Sequence, residues 1–145
     1  MYNILVLNGP NLNLLGKREN DIYGNKKLSK IILDLKNIVK TKNILLTDFQ
    51  TNSESLLINK IHKSYKKIDY IIINPGAFAH TSIALRDSLL SVKIPFIEVH
   101  ISNIFSRENF RHKSYISNIS NGIICGFGTY GYFLALKYIL KIYSK

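Results

Sequence analysis

The sequence is poor in the residues that mark several classes of protein. Its 145 residues include one cysteine and no tryptophan, and a lone cysteine excludes an internal disulfide framework. We interpret Cys125 as a buried structural thiol because it follows two isoleucines. The most apolar late stretch, residues 130–143, contains Lys137 and Lys141, so it is not predicted to span a membrane. The first residues lack the basic segment of a signal peptide, and we expect a cytoplasmic location.

Acidic residues are also scarce. Nine Asp and Glu stand against twenty Lys and Arg, for a formal net charge of +11. Such an excess fits an anionic partner, either a nucleic acid or a small carboxylate or phosphate. Most of the lysines, however, are scattered along predicted helices, which is typical of solvated helix faces. The sequence lacks the interleaved basic and aromatic residues of nucleic-acid surfaces, so we expect no nucleic-acid partner.

The hydrophobic pattern predicts one α/β domain over residues 1–145. Short apolar runs, typical of buried strands, alternate with segments of helical periodicity. This alternation predicts a parallel sheet covered on both faces. With five strands, the expected fold is a flavodoxin-like, doubly wound parallel sheet in three layers. Strands are predicted at 2–7, 44–49, 70–73, 96–100 and 122–125, and helices at 28–39 (capped by Asn25), 57–65, 81–90 and 130–143.

Polar residues follow three of the predicted strands. In a doubly wound sheet, ligands bind beyond the carboxyl ends of the strands. The sequence therefore predicts an active site at this edge. The residues concerned are Asn8, Asn11, Arg18 and Tyr23 after the first strand, Asn74 and His80 after the third, and Glu98, His100, Ser102, Arg107, Arg111 and His112 at and after the fourth.

Two of these residues are predicted to transfer protons. Glu98 and His100 are two apart on one strand, so they share a face, and a carboxylate beside an imidazole favours a general acid or base. Tyr23 would be the partner base, although ionising an ordinary tyrosine at pH 7 costs roughly 4 kcal/mol. The guanidinium of Arg18, on the same loop, can offset part of that cost. The alternatives are a structural ion pair for Glu98 and a packing role for Tyr23.

Two glycine-rich segments resemble nucleotide-binding motifs and fail on context. Residues 9–17 resemble a phosphate loop, but the glycine spacing is too long and Arg18 replaces the Ser or Thr that binds magnesium. Residues 126–131 match the dinucleotide fingerprint without the strand and acidic residue that must follow it. A nucleotide- or flavin-binding module stays open as the second hypothesis. No cysteine–histidine spacing predicts a metal site.

Several longer motifs together resemble the type II 3-dehydroquinate dehydratases. The resemblance runs from the first strand to the last helix. It implies the flavodoxin-like fold and a homododecamer, a tetramer of trimers. It also implies the dehydration of 3-dehydroquinate to 3-dehydroshikimate in the shikimate pathway, without a cofactor. The motifs are 8–16 (NGPNLNLLG), Arg18 with Tyr23-Gly24, 74–77 (NPGA), 80–82 (HTS), 98–103 (EVHISN) and 110–112 (FRH).

The resemblance also implies a role for each matching residue. Tyr23 would remove the proton next to the ketone, with Arg18 favouring the tyrosinate. His100, oriented by Glu98, would donate a proton to the departing hydroxyl. Asn11 would stabilise the enolate through a held water. Asp87 would reach the site of a neighbouring subunit. The remaining residues would bind the substrate's hydroxyls and carboxylate: Asn74, His80, Ile101, Ser102 and Arg111.

Three positions depart from the family pattern. Phe105 and Ser106 replace a His-Ala pair near the carboxylate-binding region, and Asn20 replaces a proline between Arg18 and Tyr23. Without that proline, ordering the loop costs more conformational entropy. We therefore expect weaker substrate binding, which Asn20→Pro would improve.

Overall fold

A computed structural model, which describes residues 1–144, contains five parallel strands in the order β2-β1-β3-β4-β5. The predicted flavodoxin-like fold is confirmed. No helix within residues 1–144 is long and apolar enough to cross a membrane. The strands are β1 (Tyr2–Asn8), β2 (Ile44–Gln50), β3 (Tyr70–Asn74), β4 (Phe96–His100) and β5 (Gly122–Cys125), and the helices are α1 (Asn20–Tyr23), α2 (Leu28–Val39), α3 (Glu54–Lys63), α4 (Phe78–Thr81), α5 (Ile83–Val92) and α6 (Tyr130–Tyr143).

The sheet lies between two apolar layers. Alternate residues of a strand point to opposite faces, so Ile4 and Val6 pack against α2 and α6, while Leu5 and Leu7 pack against α3 and α5. β3 and β4 are buried along their whole length. Burial on both faces explains why these strands are almost continuously apolar.

Two predictions about where helices begin were wrong. Asn25 does not cap α2, because that helix begins at Leu28 after Lys27, which makes no side-chain cap bond. The segment predicted as one helix at 81–90 forms α4 and α5, which meet at Ser82. The Ser82 hydroxyl accepts a hydrogen bond from Leu85 N at 2.9 Å and so starts a new helix.

Cys125 lies at the end of the edge strand β5. It was predicted to be buried, but it is only half-buried. Its thiol contacts the backbone oxygen of Ser102 at 3.4 Å. An edge strand has a neighbour on one side only, and this explains the partial exposure.

The loops after β1 and β3 are in tight contact. Gly9 N donates to Asn74 O at 2.8 Å, and a Cβ at Gly9 would lie 2.2 Å from Pro75 O. Only glycine fits this crossing. β1 and β3 form the switch point of the strand order, so the crossing lies where this fold binds its ligands.

The buried hydroxyl of Tyr132 links the ends of β1 and β3. Tyr132 of α6 is fully buried; its hydroxyl donates to Asn8 Oδ1 at 2.6 Å and accepts from Asn74 Nδ2 at 2.9 Å. Asn74 Oδ1 accepts from Gly76 N at 3.2 Å, which fixes the orientation of the Asn74 amide. Burial raises the pKa of Tyr132, so its hydroxyl stays protonated.

We expect Tyr132→Phe to destabilise the fold by about 1–3 kcal/mol, because two buried amides would each lose a partner. Urea unfolding measures the change. Tyr138→Phe is the matched control, since Tyr138 lies on the same helix with a half-exposed side chain. Equal stabilities of the two variants would contradict the role given to the Tyr132 hydroxyl.

Candidate active site

A pocket opens at the carboxyl ends of β1, β3 and β4, where the sequence predicted it. Among the predicted site residues, Glu98 lies beneath the pocket and Asp87 lies on the exposed side of α5, outside it. The pocket is lined by Arg107 and by nine of the residues to which the sequence assigned a role: Asn11, Arg18, Tyr23, Asn74, His80, His100, Ile101, Ser102 and Arg111.

Glu98 and His100 form a buried pair at the end of β4. The two residues are 0% and 5% exposed, and His100 Nε2 contacts Glu98 Oε2. Burial acts to raise the pKa of Glu98, but hydrogen bonds from His100, Ser117 and Ser114 outweigh it, and the net pKa lies below its usual value. Glu98 is therefore a carboxylate, and His100 Nε2 must be the donor in their contact.

His80, on α4, lies beside His100. The centroids of the two rings are 6.0 Å apart, and the rings are nearly parallel. His80 Nδ1 lies 2.8 Å from the backbone oxygen of Lys113, so Nδ1 must carry a proton. Burial lowers the pKa of His80; the nearby His100 and Arg111 act in the same direction, against the Lys113 hydrogen bond. A neutral His80 with its proton on Nδ1 has an acceptor, Nε2, for a ligand hydroxyl.

Tyr23 is the last residue of the short helix α1 and is flanked by two arginines. Arg107 donates from Nη1 to the Tyr23 hydroxyl oxygen at 2.7 Å and to Ser102 Oγ at 3.2 Å. The guanidinium carbon of Arg18 lies 5.0 Å from the centroid of the Tyr23 ring, and Arg18 Nη1 pairs with Glu19 at 2.6 Å.

The loop after β1 holds Asn11 at the pocket rim. Asn11 has a left-handed backbone (φ 69°), a conformation that asparagine tolerates better than most residues. Its N–H donates to Asn52 Oδ1 at 2.9 Å, and Gln50 donates to the same oxygen at 3.2 Å. Asn52, which follows β2, therefore positions Asn11, and Gln50 at the end of β2 supports Asn52.

Sequence reasoning assigned no role to Arg107, Ser114 or Ser117. All three belong to the connection 101–121 between β4 and β5, and they reach back to Tyr23 or Glu98. Arg107 stood among the polar residues after the fourth strand, but a contact between residues 84 apart in sequence leaves no local pattern. Nothing in the sequence around Ser114 and Ser117 distinguishes these serines from ordinary loop residues.

The glycine-rich segments use their backbone N–H groups internally. Gly126 N and Gly128 N donate to the carbonyls of His100 and Ile101 at 3.2 and 3.0 Å. In the first loop, Gly9 N and Asn11 N donate to Asn74 and Asn52. Nucleotide-binding loops direct such groups at phosphates. Within residues 1–144, no cluster of three His, Cys, Asp or Glu side chains could hold a metal ion.

Comparison with known proteins gives consistent relatives. A family model described as dehydroquinase class II matches residues 2–140. The 3-dehydroquinate dehydratase of Buchnera aphidicola subsp. Baizongia pistaciae is 60% identical over 145 residues, which are 100% of this chain and 94% of the relative. That of Colwellia psychrerythraea is 59% identical over 135 residues, 93% of this chain and 88% of the relative. The crystal structure of the type II dehydroquinase from Butyrivibrio crossotus is similar, with a TM-score of 0.92 and 46% identity over 96% of this chain and 97% of that chain.

Proposed function

This chain belongs to the class II dehydroquinase family, and on that premise we propose how its pocket removes water from 3-dehydroquinate. The product is 3-dehydroshikimate, an intermediate of the shikimate pathway. The reaction needs a base for the proton next to the ketone and an acid for the departing hydroxyl. One observation carries the assignment: a tyrosine hydroxyl bound by arginine and a histidine bound by a buried carboxylate line one pocket.

Tyr23 is the base. As a tyrosinate it removes the proton next to the ketone, and the electron pair left on carbon moves onto the ketone oxygen to form an enolate. Arg107, 2.7 Å from the Tyr23 hydroxyl oxygen, stabilises the tyrosinate by a charge-assisted hydrogen bond. Arg18 adds a second positive charge at the ring face. The role that the sequence assigned to Arg18 is therefore shared between the two arginines.

His100 is the acid. Its Nε2 proton is held by the Glu98 carboxylate, so the proton for the reaction sits on Nδ1 when the ring is an imidazolium. As the enolate collapses, the carbon–oxygen bond breaks and His100 gives this proton to the departing hydroxyl, which leaves as water. Glu98 orients the ring and balances its charge.

The other pocket residues bind the substrate and the enolate. Arg111 binds the carboxylate, because its pair with Glu108 uses only Nε and leaves the other guanidinium N–H groups for a ligand. The neutral His80 accepts a hydrogen bond from a substrate hydroxyl. Asn11, at the rim, stabilises the enolate through a water molecule. Ligands would also meet Asn74, Ile101 and Ser102 at the strand ends.

A nucleotide- or flavin-binding module is the weaker hypothesis. In the two glycine-rich segments, the N–H groups of Gly9, Gly126 and Gly128 donate to backbone carbonyls, and that of Asn11 donates to Asn52. Binding a phosphate there would require breaking these bonds. The module hypothesis also gives no purpose to the contact between Arg107 and Tyr23.

The proton-transfer roles predict the behaviour of two variants. We expect Tyr23→Phe and His100→Ala each to lower kcat by a factor of about 10²–10⁴, the usual contribution of a positioned base or acid. Ultraviolet absorbance of the conjugated enone, after addition of 3-dehydroquinate in the presence of a metal chelator, measures turnover. Tyr65→Phe is the control, because Tyr65 lies two residues beyond α3 and is half-exposed. Full activity in either site variant, with the fold intact, would overturn the assignment.

The chain is proposed to assemble as a dodecamer, a tetramer of trimers. Asp87 is exposed on α5, outside its own pocket, so it can contribute to catalysis only at the pocket of a neighbour. Three phenylalanines are also more than half exposed, and contacts between subunits would bury apolar side chains of this kind. These are Phe105 at 61%, Phe110 at 67% and Phe127 at 64%.

Light scattering of the purified protein should give the mass of a dodecamer of 16.6 kDa chains. We expect Asp87→Ala to lower activity without changing that mass. A fully active monomer would exclude both the assembly and the shared site.

Asn20 is the position where the structure adds a condition to the sequence-based prediction. Asn20 is the first residue of α1, where proline is well tolerated. The preceding Glu19, however, has a left-handed backbone (φ 44°, ψ 48°), and a residue before proline prefers an extended backbone. Asn20→Pro will therefore tighten binding only if Glu19 leaves this conformation when the loop closes on substrate.

We expect the Michaelis constant of Asn20→Pro to fall severalfold, since the free loop would lose conformational entropy. Asn20→Ala, which changes the side chain without restricting φ, is the control. An unchanged or higher Michaelis constant in Asn20→Pro would contradict the prediction.

A further inference from the structure

The Glu98 carboxylate is fully buried and accepts three side-chain hydrogen bonds. Its Oε2 accepts from His100 and from Ser114 Oγ at 2.9 Å, and its Oε1 accepts from Ser117 Oγ at 2.5 Å. Within residues 1–144, these three are its side-chain donors. The two serines therefore replace the water that a charged carboxylate has lost.

One proton can be shared between Glu98 and His100 in two ways. In the first, Glu98 is a carboxylate and His100 an imidazolium, which carries the acid proton on Nδ1. In the second, the Nε2 proton has moved to Glu98; that leaves a neutral acid and a neutral imidazole. Both arrangements hold the same number of protons, so pH does not choose between them. The choice depends on how well the surroundings stabilise the carboxylate.

The other charged groups around His100 do not supply that stabilisation. Cations dominate the pocket and oppose an imidazolium, while Glu19 is paired with Arg18. On the neighbouring strand β5, the residue opposite His100 is Cys125, which has no carboxylate to offer. The anion in contact with the ring is therefore Glu98. The ionisable residues that line the pocket with His100 are Arg18, Glu19, Tyr23, His80, Arg107 and Arg111.

We propose, on the basis of the function given above, that Ser114 and Ser117 are positioning residues that keep Glu98 ionised and so hold His100 as an imidazolium, whose Nδ1 proton is far more acidic than that of a neutral imidazole. They stabilise the arrangement with an imidazolium over the neutral one. Neither serine lines the pocket, and they act only through Glu98. The connection between β4 and β5 thus sets the protonation state of an acid carried by β4.

Both hydroxyls are held in place by their own backbone surroundings. Ser114 Oγ also accepts from Ile116 N at 3.3 Å. Ser117 begins a short 3-10 helix, Ser117–Ile119, and its carbonyl accepts from Ser120 Oγ at 2.7 Å. Ser120 is therefore a matched control: its hydroxyl supports the same turn without touching Glu98.

Steady-state kinetics over a range of pH test the proposal. We expect Ser117→Ala to lower kcat about tenfold or more, since losing a hydrogen bond to a charged group changes an equilibrium by at least that factor. The Michaelis constant should change little, because Ser117 does not touch the substrate. Lowering the pH should not restore kcat, since both arrangements contain the same number of protons. Ser117→Thr, which keeps the hydroxyl, should recover most of the activity, and Ser120→Ala should resemble the wild type.

Infrared spectroscopy gives a readout that does not depend on turnover. A protonated Glu98 shows the C=O stretch of a carboxylic acid, and Glu98→Gln identifies that band by removing it. We expect the band at neutral pH in the Ser114→Ala/Ser117→Ala double variant and not in the wild type. If His100→Ala kept full activity, the proposed function would fail, but the infrared result would still test the serines.

Acid unfolding provides a third measurement. The pKa of Glu98 is lowered in the fold, so its contribution to stability is present above the unfolded pKa and is lost as the pH falls through the folded one. Removing a serine raises the folded pKa, and Ser114→Ala should therefore unfold at a higher pH than Ser120→Ala. The proposal is overturned if kcat falls without the infrared band, which would indicate a structural role only. It is equally overturned if kcat, the spectrum and acid unfolding all match the wild type.

Discussion

The burial of the Glu98 carboxylate is the constraint on which the site depends. A charge with no exposure to solvent must be met by hydrogen bonds or it becomes neutral. Here the donors come from His100 on the same strand and from two serines of the connection 101–121. Satisfying this one charge orients the histidine and ties a long loop to the end of β4.

That loop also contributes residues to the pocket and holds others in place. Arg107 reaches the hydroxyl of Tyr23, Arg111 lines the pocket, and the carbonyl of Lys113 fixes the tautomer of His80. The proposed base, Tyr23, belongs to the loop after β1, and the proposed acid, His100, belongs to β4. The connection 101–121 contacts Tyr23 through Arg107 and reaches His100 through Glu98, so in the proposed mechanism it acts on both residues.

The fold was predictable because its signals are local. The apolar runs predicted the ends of every strand to within one residue. The rule that ligands bind beyond the carboxyl ends of parallel strands predicted where the pocket lies. The contacts that tune the site were not predictable, because Arg107 meets Tyr23 across 84 residues, and Ser114 and Ser117 have no distinctive spacing. The break at Ser82 was missed for a different reason: the helical period continues across it, and only the cap reveals the new helix.

The account rests on an ionised Tyr23 facing a protonated His100 in one pocket. Tyrosinate absorbance at neutral pH, taken as the difference between the wild type and Tyr23→Phe, tests this most directly. The proposed mechanism predicts absorbance in the tyrosinate band that disappears in Tyr23→Phe and weakens in Arg107→Met. Equal absorbance in that band for the wild type and Tyr23→Phe, at every pH where the enzyme is active, would contradict the mechanism.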